Sequence, residues 1–313
     1  MIYQCVSSVC HKAECPEDLV IFSMEYWQQH PLSEPPPYVE YQGIMFPAIV
    51  PKESLEAMKT FEIRDDDVVI LSSLKSGTNW MLEIVSNILG GKNESASPVG
   101  PEFSELELWP PKKTTLLHRA AREAISSADD NPYAIPTGTA RPGSSKYQGL
   151  VKVIVIMRNP KDVCVSFYYY LQKTLHLKTP ESWEQHSKDF LDGKIIFGDY
   201  FDHVLGWWQM KDDPHFLFMK YEDLKKDFRS SVKTIAAFLE KELTDEDLDR
   251  LLTSYSVESM RKTLAKSNGW RKNIVRKGVV GDWKNHFSAE ESAKFDQRYR
   301  ERMAGSGLEF EFE

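Results

Sequence analysis

The chain has 313 residues, 41% of them hydrophobic, which is enough to bury a full core and close to the upper size of a single α/β domain. Its formal net charge of −8 argues against a general nucleic-acid or anionic-membrane binder, whose affinity comes mainly from summed positive charge; any bound polyanion has to be met by local cations. No run of 18 apolar residues occurs, and Met1 to Leu19 lacks a basic stretch followed by a long apolar core, so neither a transmembrane helix nor a secretory signal is read and a cytoplasmic protein is expected.

Cys5, Cys10 and Cys15 surround His11 near the N-terminus, and Cys164 stands apart. Neither N-terminal spacing is that of a Cys-x-x-Cys knuckle, so no metal site and no disulfide scaffold are assigned. Pro31, Pro35, Pro36, Pro37 and Pro47 interrupt any period before residue 51. Residues 1–50 are therefore read as an irregular arm on a domain that spans 51–313. Leu55, Met58 and Phe61 predict a short helix after Pro51. Val68-Val69-Ile70-Leu71 then reads as a strand buried on both faces, as in a parallel sheet. The small residues Ser76, Gly77 and Thr78 follow. Trp80, Ile84, Val85, Ile88 and Leu89 continue at the spacing of one helical face. A strand-turn-helix with Lys75 and two hydroxyls at the helix start is either a solvated turn or an anion site.

Residues 90–149 are rich in Gly, Pro, Ser and Asn, with only a weak helical pattern from Leu116 to Ile125; loops this long usually belong to lids or acceptor pockets. Leu150 to Met157 is the clearest strand. Asn159 suits the cap of the helix that follows it and Pro160 suits the first helical position. Ser166 lies about two turns into that helix. Phe216 to Met219 predicts another strand, ending at Lys220-Tyr221-Glu222-Asp223-Leu224. A helix with Val232, Ile235, Ala236, Phe238 and Leu239 on one side comes next, then helices opened by Thr244 with Asp247 and by Ser288 with Glu291, the last ending near Gly305. Strands alternating with helices predict a single α/β domain with a central parallel sheet flanked by helices, and ligands at the carboxyl ends of its strands. Lys75, Arg158 and Tyr221 all fall at such ends.

Three motifs occur in order: Lys75-Ser76-Gly77-Thr78-Asn79-Trp80; Arg158-Asn159-Pro160-Lys161-Asp162 followed by Ser166; and Arg276-Lys277-Gly278-x-x-Gly281-Asp282-Trp283-Lys284. The first is not a nucleotide-triphosphatase loop, because Ser72 stands where that loop needs a glycine and its lysine precedes the glycine. A kinase or ATPase is thus disfavoured. Together the motifs resemble those of the cytosolic sulfotransferases, over about Phe61 to Leu308, with Ser73-Leu74 replacing the usual Tyr-Pro of the P-loop-like phosphosulfate-binding loop. The resemblance implies transfer of a sulfonate from 3′-phosphoadenosine 5′-phosphosulfate (PAPS), leaving PAP, to a hydroxyl or amine of a small, aromatic or steroid-like acceptor, without a metal. It places the 5′-phosphosulfate on Lys75, Ser76, Gly77, Thr78 and Asn79, with Lys75 also balancing charge on the bridging oxygen. Arg158 and Ser166 then grip the 3′-phosphate, and Arg276, Lys277 and Gly278 close over it. Trp80 stacks on adenine, with Tyr221 beside it. Ser256 and Met260 belong to the same family pattern, in which Val257 replaces a common Phe.

The family's catalytic histidine, about twenty residues ahead of the second motif, has no counterpart in Asn131 to Gly138. His118 is the only histidine between the first two motifs. It reaches the sulfur if the intervening segment is an insertion, and lies on the surface if that segment is a replacement. The rival expectation is a homologue that binds the nucleotide and has lost the base. The segment associated with dimer contacts, Lys284 to Ala289, keeps its outline without the acidic partner, since Ala293 stands near the expected Glu, and leaves a homodimer open. Aromatics at Phe103, Trp109, Tyr168, Tyr169 and Tyr170 suit either a flat acceptor or the core.

Overall fold

The computed structural model describes residues 38–47, 52, 68–89, 103–105, 114–116, 152–174, 177–265 and 276–313. Strands β1 (Val39–Tyr41), β2 (Ile44–Phe46) and β3 (Val68–Ser72) come first, followed by helix α1 (Thr78–Ile88), strands β4 (Phe103–Glu105), β5 (Thr114–Leu116) and β6 (Lys152–Met157), and helices α2 (Pro160–Lys173), α3 (Trp183–Leu191) and α4 (Tyr200–Trp208). Strand β7 (Phe216–Lys220) leads into α5 (Tyr221–Lys226), α6 (Phe228–Phe238), α7 (Asp245–Ser254) and α8 (Val257–Ala265). A 3-10 turn (Asp282–Asn285) and α9 (Ala289–Met303) complete the order.

The central sheet is parallel, in the order β3-β6-β7, with Val69 opposite Val153 and Ile154 opposite Leu217. Successive side chains leave a strand on opposite faces, and here both faces are dry. Val69, Leu71, Val153, Val155 and Met157 enter a core with α2, α3, α4 and α9. Val68, Ile70, Ile154 and Ile156 enter a second core with α1, α6 and α7. That two-sided burial is why the strands read as unbroken apolar runs. It leaves the strand ends as the place where polar groups can gather, since nothing polar fits along the faces.

Several sequence expectations hold in atomic detail. Asn159 caps α2 by accepting from the Asp162 N–H, with Pro160 in the first turn. Capping boxes open α7 at Thr244 and α9 at Ser288. Others are corrected. The segment read as an irregular arm contains an antiparallel hairpin, β1 with β2, turned by Gln42 and Gly43, both at positive φ, which matches the twist of a two-residue hairpin. Tyr41 and Phe46 of that hairpin are buried in the first core; flanking prolines obscured a strand pair only three residues long on each side. Leu116 ends strand β5, which pairs in parallel with β4, and the rest of the weak helical pattern, 117–125, lies outside the described residues. Helices α3, α4 and α8 were not foreseen, although Ser182, Asp199 and Ser256 each accept a backbone N–H at their start. His118 lies outside the described residues, as do Leu55, Met58 and Phe61 and the N-terminal cysteines. None of the described helices is long and apolar enough to cross a membrane.

Candidate active site

β3 ends at Ser72, and the chain turns through Ser73 to Gly77 before α1 begins. Ser73 and Ser76 join through their hydroxyls at 2.8 Å, the Ser76 N–H donates to the Ser73 carbonyl at 3.3 Å, and the Ser72 and Thr78 hydroxyls bond across the turn. Gly77 caps α1 at φ +108° with no side chain capping the helix, so the first N–H groups of α1 stay available to a ligand. A Cβ at Gly77 would stand 2.8 Å from Tyr221 Cδ2 and 3.1 Å from Ile156 Cδ1, so the position needs glycine for space as well as for backbone. Lys75 is held at φ +66°, a strained conformation for a side-chain-bearing residue. Its ammonium sits 4.5 Å from the centre of the Tyr170 ring. Burial, reinforced by the positive charges of Arg158 and Arg276, pulls its pKa down to about 7.

β6 delivers Arg158 to the same edge. One arm of its guanidinium donates to the Lys75 carbonyl at 3.3 Å and the other to the Val279 carbonyl at 2.9 Å, and the group lies 4.3 Å from the Tyr221 ring centre. Asp162, one turn later, is 3.6 Å away. The Tyr200 hydroxyl donates to the Arg158 carbonyl and fixes the backbone there. Glu222, in the first turn of α5 just after β7, accepts from the Asn159 N–H at 2.8 Å and its side-chain amide at 3.0 Å, which ties the second and third strand ends together. Burial raises the Glu222 pKa despite those bonds.

The third motif docks on the second through Asp162, which accepts from the N–H groups of Gly281 at 2.8 Å and Trp283 at 3.0 Å. Asp282 then holds the motif's own cations, accepting from Arg276 and, at 2.7 Å, from Lys277, with Asn285 at 3.0 Å. Burial alone would raise the Asp282 pKa, but hydrogen bonds from Lys277, Arg276 and Asn285 outweigh it and hold it well below the usual carboxylate range. Arg276 lies 4.5 Å from the Tyr169 ring centre. The Nε atoms of both Arg158 and Arg276 are buried with no hydrogen-bond partner. Buried donors in that condition are rare, and a ligand with several oxygens would satisfy them.

Lys75, Arg158 and Arg276 thus converge, as do Ser76, Gly77, Thr78 and Asn79 at the turn. Trp80 is 5% exposed, stacked on Phe228 at 5.3 Å and edge-on to Tyr221 at 5.4 Å, with its indole N–H on the Tyr255 carbonyl at 2.7 Å. One of its faces is therefore already covered. That last bond brings the start of α8 alongside, where Ser256 caps the helix and Met260 is buried in the second core. Ser166 is half-buried on α2, on the helical face it shares with Tyr169 and Tyr170. Lys277 and Gly278, at φ +69°, follow Arg276 in the docked loop. Lys284, in the segment associated with dimer contacts, pairs with Glu313 of its own chain at 2.8 Å.

The sequence assigned no role to Asp162, Glu222 or Asp282, all of which build the site, and Tyr170, read as suiting either a flat acceptor or the core, lies against Lys75. Asp162 and Asp282 lie inside the quoted motifs; Asp162 meets N–H groups 119 and 121 residues later, whereas Asp282 binds groups of its own loop. Four histidines are described. His186 donates to the Cys164 carbonyl at 3.0 Å and is kept neutral by burial, which takes its pKa down to about 4. His203 is buried in α4, His215 sits before β7 at the sheet's other edge, and His286 is 3.4 Å from Asp282 on the basic loop.

The sulfotransferase domain model matches residues 65–307. An amine sulfotransferase from Oryctolagus cuniculus is 34% identical over 286 residues, covering 87% of this chain and 92% of its own. Sulfotransferase 2B1 from Rattus norvegicus is 37% identical over 282 residues, 86% of this chain and 80% of its own. Among solved structures, mouse sulfotransferase SULT7A1 complexed with PAP superposes with a TM-score of 0.70 at 29% identity, covering 87% of this chain and 96% of that one. With three motif segments meeting at one edge of a parallel sheet, and with that match spanning most of its length, the chain belongs to the sulfotransferase family and is a transferase.

Proposed function

We propose that the protein transfers a sulfonate from PAPS to a hydroxyl or amine of a small aromatic or steroid-like acceptor in the cytoplasm. The observation that carries this reading is the pair of buried Nε donors on Arg158 and Arg276 beside the Gly77 turn, which have no hydrogen-bond partner and which the oxygens of an anionic ligand would satisfy. The nucleotide supplies, when bound, an activated sulfonate and three anionic groups. Ser76, Gly77, Thr78 and Asn79 hold its 5′ end with backbone and hydroxyl donors, and Lys75 offsets the charge that builds on the bridging oxygen. Arg158 and Ser166 bind the 3′-phosphate, closed over by Arg276, Lys277 and Gly278; the planar fork of arginine suits that group. Trp80 and Tyr221 bound the adenine, with Ser256 and Met260 completing its surroundings. His118 is proposed to take the acceptor's proton.

Calorimetry with PAP, together with transfer of labelled sulfonate to a panel of phenols, steroids and amines, tests the reading. The expected result is PAP binding and transfer to at least one acceptor class, with transfer lost in His118→Ala while PAP binding is retained. Absence of PAP binding overturns the donor assignment. Binding without any transfer identifies instead a nucleotide-binding homologue that lacks the base.

A further inference from the structure

Asp282 has a place in the site that sulfonate transfer alone does not explain. Its carboxylate is 5% exposed and collects four groups from its own loop: Arg276, Lys277 at 2.7 Å, Asn285 at 3.0 Å and His286 at 3.4 Å. The 3-10 turn that carries it cannot easily shift, because Asp162 of α2 grips the N–H groups on both sides, at Gly281 and Trp283. Arg276 therefore meets Asp282 through Nη2 while its buried Nε stays without a partner. The guanidinium is anchored on one edge and unsatisfied on another.

A buried carboxylate paired with the cations of an anion site can act in two ways. It can compete with the incoming anion, or it can hold the cations in position while the anion takes their remaining donors. Competition would strip Arg276 and Lys277 from Asp282 and leave a desolvated charge with only Asn285 and His286, an arrangement that is strongly unfavourable. Sharing requires no such loss. Arginine has five N–H groups and lysine three, so each can serve the carboxylate and a phosphate together. Long, rotamer-rich side chains that are already ordered also forfeit less entropy when a ligand arrives.

We propose that Asp282 is a positioning residue for nucleotide binding: it presets Arg276 and Lys277 for the 3′-phosphate and stays bonded to them in the complex. This rests on the donor reading above. It assigns to the third motif an internal acid that makes a basic loop work as a preformed socket instead of a flexible clamp.

Asp282→Asn keeps the shape and removes the charge. Calorimetry should show PAP binding weakened about tenfold, whereas adenosine 5′-phosphate, which lacks the 3′-phosphate, binds the wild type and the variant alike. KM for the donor should rise by a similar factor while kcat changes less than about threefold. Arg276→Ala should cost much less affinity in the Asp282→Asn background than in the wild type, because the two residues act as one unit. Tighter PAP binding by the variant would make Asp282 a competitor and overturn the proposal. Equal losses for both nucleotides, or additive losses in the double variant, would reduce it to general scaffolding and overturn it too. If the Asn variant does not fold, Asp282→Glu, which keeps the charge on a longer arm, must show the same 3′-phosphate-specific loss, and unchanged affinity there counts against the proposal. A wild-type chain that binds neither nucleotide overturns the donor reading, and this inference with it.

Discussion

Two basic segments meet at the carboxyl edge of the sheet, and they carry their charge differently. Lys75, in the turn between β3 and α1, is desolvated and lies near two further cations, which brings its pKa to about 7. Arg276 and Lys277, in the loop before the 3-10 turn, are bound to a buried carboxylate. Burial and the neighbouring cations disfavour the charge in the first arrangement, and one carboxylate partly offsets the two cations of the second in advance. A lysine whose charge is disfavoured by burial suits the point where charge changes during transfer, whereas a prepaired Arg and Lys suit a phosphate that stays the same throughout.

Substituting the two lysines tests this contrast most severely. Lys75→Met should lower the rate of sulfonate transfer by about 10²–10³-fold at saturating donor. Lys277→Met should weaken PAP binding by roughly five- to tenfold with kcat little changed, since its half-exposed charge is screened by solvent. Comparable kcat losses in both would erase the distinction.

Backbone changes separate the segments next. Gly77→Ala combines a φ of +108° with a contact 2.8 Å from Tyr221, and should destabilise the fold by roughly 2–4 kcal/mol in denaturant titrations. Gly281→Ala has the strained φ of +82° but meets nothing nearer than 3.5 Å, and should cost about 1 kcal/mol. A reversed order would mean that the Gly77 turn relaxes freely.

The smallest effect is one of pH. Below pH 7 Lys75 is already protonated, so PAP binds without taking up a proton. Above pH 7 Lys75 of the unliganded protein is mostly neutral while the complex favours its charged form, so affinity should fall by up to about tenfold per pH unit until the pKa in the complex is reached. The second ionisation of a phosphate monoester, near pH 6, is complete over this window and adds no slope. The same decline should vanish in Lys75→Met, where the loop cations remain. A flat profile in the wild type would place Lys75 in a more hydrated setting than the one described.

Much of this was legible from residue order. Val68 to Leu71 and Val153 to Met157 are unbroken apolar runs because both faces of their strands are covered, and the Asn159, Thr244 and Ser288 caps are local enough to be read from a few residues. The β1–β2 hairpin was missed because its strands are too short for a period and prolines surround it. Helices α3 and α4 were missed although Ser182 and Asp199 cap them, since a single cap residue carries little signal without a recognised apolar stripe.

By itself, the sequence determined the alternation of strand and helix, the glycine-bearing turns and which cations stand at strand ends, because each depends on neighbours a few positions away. Only the tertiary structure decided that Asp162 grips a loop 119 residues later, that Glu222 ties two strand ends together, and that Tyr170 lies against Lys75. Those relations depend on which segments share one edge of the sheet and on how little water reaches them. Burial and charge pairing arise from the assembled surroundings, and residue spacing along the chain does not encode them.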